Sequence, residues 1–62
     1  MKHYLFTVIS ENSPNEGEEF IVGADTLFEA YEIAEDNFGT GCVEYNCPLT
    51  DEEAEMSGLD EY

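Results

Sequence analysis

The chain opens on an alternation that suits a strand. Tyr4, Phe6 and Val8 fall on one side of an extended backbone, and Leu5, Thr7 and Ile9 on the other, which predicts a strand over residues 3–9. Residues 10–17 are polar, hold Pro14 and Gly17, and read as a loop. A second strand is expected over 18–24, with Phe20, Val22 and Ala24 sharing one side. Two such strands around a polar loop predict an antiparallel hairpin.

The period then changes from two to 3.6. Leu27, Ala30, Tyr31, Ala34 and Phe38 fall within an arc of about 100° on a helix, while Glu29, Glu32 and Asp36 lie nearly opposite. Glu35 sits on the flank near Phe28. Thr26 followed by Glu29 fits a capping box, and Gly39 is placed as the stop, so a helix is expected over 27–38.

A third strand is expected over 41–47, with Val43, Tyr45 and Cys47 on one side, Glu44 on the other, and Pro48 as its end. Thr50 and Glu53 repeat the capping signal. They start a short helix over 51–57, with Leu49 placed to staple onto Ala54 and Gly58 as the stop. Leu59 is placed to fold back on Ala54. The last residues, 60–62, are expected to be loose. The pattern predicts an α+β fold in the order β-β-α-β-α: a three-stranded antiparallel sheet with two helices on one face. The 62 residues make one domain, 1–62, with a thin core.

Charge changes the picture most. There are sixteen acidic residues against Lys2 and a single histidine, His3, for a formal net charge of -15. Solubility of a small domain needs a net charge of only about 2–8 in magnitude, and the excess costs stability through self-repulsion. Solvated helix faces normally mix Lys with Glu at i,i+4, and that mutual support is missing here. Fifteen charges equal those on about 25 Å of duplex DNA. A compact chain of this length has an expected radius of gyration near 10–11 Å, so the linear charge densities are about equal.

Charge and motifs also exclude. Direct nucleic-acid binding runs on Lys and Arg displacing counterions, and one lysine does not offset this charge. No phosphate loop or dinucleotide motif is present. His3 reads as a plain edge residue, not as the base of a Cys-His pair. The acidic run 51–55 sits on an expected helix and lacks the alternating loop pattern of a calcium site, so only weak divalent-cation binding is expected there. No metal, cofactor or catalytic residue is expected. The sequence shows no membrane-length apolar run and no signal-peptide core. Cys42 and Cys47, five apart, would point to opposite faces of a straight strand. They read as reduced thiols of a cytosolic protein, with a bridge between two copies as the alternative. The sequence leaves the oligomeric state open.

An acidic constellation remains as the candidate site: Glu29, Glu32, Glu35 and Asp36 on the first helix, then Asp51, Glu52, Glu53 and Glu55 on the second. Phe28 and Tyr62 are the aromatics placed to add anchoring contacts, although Phe28 is as well placed at the edge of the core. In size, charge and expected topology, and in the run from Thr50 through Glu53 and Met56 to Asp60, the chain resembles small phage-encoded anti-CRISPR proteins that act as DNA mimics. The resemblance implies a non-enzymatic inhibitor in the host-cell cytoplasm. Its carboxylates would occupy the Lys/Arg-lined DNA channel of a CRISPR effector through bidentate, charge-assisted bonds. The alternatives are a phage accessory protein that binds some other basic protein, and a weak divalent-cation binder.

Overall fold

Alternation in the first strand sets the sheet. The computed structural model describes residues 1–11 and 14–62. The elements β1 (Lys2–Val8), β2 (Glu19–Ala24), α1 (Leu27–Phe38), β3 (Val43–Leu49) and α2 (Asp51–Met56) follow one another along the chain. The strands form one antiparallel sheet in the order β2-β1-β3. The α+β class, the sheet and the order β-β-α-β-α are those expected. Within the expected loop over 10–17, Asn12 and Ser13 lie outside the described residues.

One face of the sheet carries Tyr4, Phe6, Val8, Phe20, Val22, Ala24 and Val43, all buried. Ala30 and Ala34 of α1 are fully buried against it. Their lack of bulk lets the helix sit close, and larger rings fill the space around them. Phe6 stacks on Phe20 at 5.6 Å and meets Tyr31 edge-on at 5.1 Å. Leu27, Tyr31, Ile33, Phe38 and Tyr45 pack around this cluster. At the start of α1, Thr26 Oγ1 accepts from the Glu29 N–H at 3.2 Å. Gly39 closes the helix at φ 107°, a value that disfavours a side chain, with its N–H bonded to Glu35 O. In α2 the capping box is complete, with the Glu53 N–H donating to Thr50 Oγ1 and the Thr50 N–H to Glu53 Oε1.

The third strand departs from a plain alternation. Its register against β1 shifts between Leu5 and Phe6: Phe6 pairs with Tyr45 and Leu5 with Cys47, leaving Asn46 as a bulge. Cys47 is therefore turned to the side of Glu44 and Leu5, away from Val43 and Tyr45. The Asn46 amide donates to Thr7 Oγ1 at 2.6 Å. Pro48 does not end the strand, which runs on to Leu49. As the edge strand, β3 tolerates a residue without an N–H.

The two helices divide between the faces of the sheet, where a single shared face was expected. β2 and β3 are parallel to each other, since each is antiparallel to β1, and α1 joins them across the Phe6 face. The chain then returns from the β3 edge to the β2 edge. Its passage is marked by Asp51 and Glu61, which both reach His3 on the other face. Right-handed connections that run in opposite directions across a sheet lie on opposite faces. Ile21, only 1% exposed, belongs to this second face and lies outside the main cluster.

The end of the chain is not loose. The Ile21 N–H donates to Asp60 O at 2.9 Å, Tyr62 N–H to Ile21 O at 2.7 Å, and Gly23 N–H to Tyr62 O at 3.0 Å. These bonds make 60–62 a short parallel addition to the β2 edge, around the Ile21–Glu61 bridge. The Tyr62 ring meets Phe20 and Phe38 edge-on at 5.5 and 5.4 Å. The free edge of β2 supplies the reason, since unpaired strand groups seek partners. Removal of 60–62 is expected to cost about 2–3 kcal/mol, from three bonds near 1 kcal/mol each and the lost ring contacts, less the repulsion of two carboxylates. Urea unfolding measures this, and an unchanged midpoint would contradict the docked end.

Candidate acidic binding surface

Capping and the apolar stripe fix how α1 is turned, and so fix its outer face. Glu29, Glu32 and Asp36 are all exposed there. Their spacing of three and then four residues keeps them in one row, and seven residues at 1.5 Å make that row about 10 Å long. Phe28, one turn before Glu32, is 74% exposed. A large ring left in water beside carboxylates is unlike the rest of this aromatic-rich core. Of the two candidate anchors, Phe28 is thus open, whereas Tyr62 is held against Phe20 and Phe38.

The other predicted carboxylates differ in what they already hold. Glu35 is half-buried and its Oε2 accepts from the Gly41 N–H at 3.2 Å, which fixes the turn after α1. Glu53 closes the capping box. Asp51 Oδ1 lies 2.8 Å from His3 Nε2. Glu52 and Glu55 are exposed on α2. Since α1 and α2 take opposite faces, the eight residues form two acidic surfaces. The row on α1 has the most carboxylates free of internal duties.

His3 is no edge residue. It lies on the central strand, paired with Gly23 on one side and Leu49 on the other. Its Nδ1 meets Glu61 Oε2 at 2.5 Å while Nε2 meets Asp51. Gly23 leaves room beside this contact: a Cβ there would stand 3.1 Å from Glu61 Oε2 and 2.9 Å from Met1 Sδ, and both side chains would have to shift. The Glu61 hydrogen bond, partly opposed by burial and aided by Asp51, holds the imidazole above its ordinary value of 6.5. The two carboxylates meet opposite ring nitrogens, so they do not converge as metal ligands would. Among the described residues, these contacts are the only ion pairs, and no group of three His, Cys, Asp or Glu is placed to hold a metal ion. The sequence signal for this cluster was the lone imidazole among sixteen acids. Cys42 and Cys47 are both free thiols.

The protein has a radius of gyration of 10.8 Å and a long axis of 32 Å. Its net charge spread along that axis gives about one charge per 2 Å, close to the value of one per roughly 1.7 Å for duplex DNA. No helix among the described residues is long and apolar enough to cross a membrane. Comparison of the chain with protein-family models, with curated proteins and with solved structures finds no match.

Proposed function

We propose that the protein is a non-enzymatic inhibitor that acts in the cytoplasm of a host cell by occupying the DNA-binding groove of a basic partner, a defence nuclease complex of the CRISPR effector kind. The observation that carries this reading is the row Glu29, Glu32 and Asp36 beside the exposed Phe28, with no basic residue to neutralise it. Grooves that take nucleic acid are lined with Lys and Arg. A guanidinium pairs with a carboxylate in two parallel bonds, and it also packs on an aromatic face. The helix already holds the backbone of the three carboxylates in one row, so only their side chains need ordering on binding, and opposite fields speed the encounter. The anchoring ring adds the desolvated contact that charge alone does not give. DNA is then excluded by competition, with no bond made or broken.

The test is capture of partners from a host lysate on the immobilised protein, with the bound proteins identified by mass spectrometry. The expected result is a nucleic-acid-binding protein that duplex DNA displaces. A partner held equally well in saturating DNA would contradict the proposal and favour an accessory role on some other basic protein.

A further inference from the structure

We propose that Asp51, His3 and Glu61 form a proton-dependent latch that holds the C-terminal strand against the sheet. The geometry is the ground for it. Ionised carboxylates only accept hydrogen bonds, and a neutral imidazole carries one N–H and one bare nitrogen. Here a carboxylate stands against each ring nitrogen, at 2.5 and 2.8 Å. Both contacts are satisfied only when the ring holds two protons. Loss of one proton leaves a lone pair facing an anion, and one of the two contacts must open.

The surroundings offer no substitute. The groups that face His3 are Asp51 from the start of α2 and Glu61 from the C-terminal strand. Its sheet neighbours are Gly23 from β2, with no side chain, and Leu49 from β3, which is apolar. The ring is half-buried at 17% exposure, while the two carboxylates stay open to water, which takes up whichever of them is released. Glu61 lies between Asp60 and Tyr62, whose backbone groups take all three bonds to β2. If the Glu61 contact opens, that strand loses its side-chain tie. If the Asp51 contact opens, Glu61 still loses the charge assistance of the ring. Either outcome weakens the hold on the strand that covers the N–H groups of Ile21 and Gly23.

The sign follows from the direction of the shift. The folded imidazole titrates above its ordinary value, so the latch is fully engaged below that value. It is lost as the pH rises through the raised one.

Amide exchange of the intact chain, corrected for the intrinsic rate at each pH, tests this from about pH 5.5 to about pH 9, a span that brackets the ordinary imidazole value. Protection of the Ile21, Gly23 and Tyr62 amides is expected to fall about tenfold, the effect of one charge-assisted bond. The midpoint should match that of the His3 ring followed by NMR, and Phe6 in the central strand should keep its protection. In His3→Gln the three amides are expected to be less protected at every pH and to lose the step. Protection that stays flat across the imidazole midpoint in the native chain would overturn the latch. So would a step that survives in His3→Gln.

Discussion

Phe6→Ala is expected to leave most of the chain unfolded. Phe6 has no exposed surface and touches the rings of Phe20, Tyr31 and Tyr45 at 5.1 to 5.7 Å. It lies on the central strand under α1, so its removal opens a cavity that every element of the main cluster borders. Truncating a buried Phe costs about 3–5 kcal/mol. At about 0.05–0.15 kcal/mol per residue, the whole domain has only about 3–9 kcal/mol. Its charge should keep it toward the lower end of that range, because like charges resist compaction. Circular dichroism and amide dispersion by NMR measure the outcome. A cooperative melt within a few degrees of the native chain would show that the core does not rest on this ring. Phe28→Ala is the companion variant. Phe28 is mostly exposed, so the change should alter stability by less than about 0.5 kcal/mol.

The parts of this fold written in local pattern were legible in the chain. The period-two run through Tyr4, Phe6 and Val8 gave β1, and the 3.6 period with Thr26 and Gly39 gave α1 with both its ends. The exposed acidic row followed from the same helical wheel. What was not legible depends on pairs far apart in the chain. The bulge at Asn46 is set by how β3 registers on β1, and an inserted residue leaves no mark on composition. It reversed the side on which Cys47 lies, and the place of β3 at the sheet edge let the strand run past Pro48. The docked end depends on β2 having a free edge, which is known only once the strand order is known. The contacts of His3 join residues 48 and 58 positions away, across a gap that Gly23 leaves open. The division of the candidate site into two surfaces has the same origin, because the returning connection after β3 decides where α2 lies.

That division gives the second large effect. Changing Glu29, Glu32 and Asp36 together to Lys replaces three negative groups by three positive ones on a single exposed row. None of the three is buried or paired within the fold, so the variant should fold, and it should gain stability as self-repulsion falls. Against a Lys/Arg-lined groove each reversed group meets a like charge, which costs several kcal/mol where water is excluded. The loss of affinity should exceed a hundredfold. Changing Glu52 and Glu55 to Lys on α2 makes two-thirds of that charge change on the opposite face, and so separates a specific row from charge in general. Phe28→Ala should weaken binding in addition, through loss of the ring contact.

The most direct measurement is the affinity of the captured partner, at low salt, for the native chain, the Glu29, Glu32 and Asp36 variant, and the Glu52 and Glu55 variant. A loss above about a hundredfold for the α1 variant, with the α2 variant within about threefold of native, is the expected result, since rim charges contribute little. Equal affinity of the α1 variant and the native chain would contradict the claim that fixed carboxylates on this helix stand in for a polyanion.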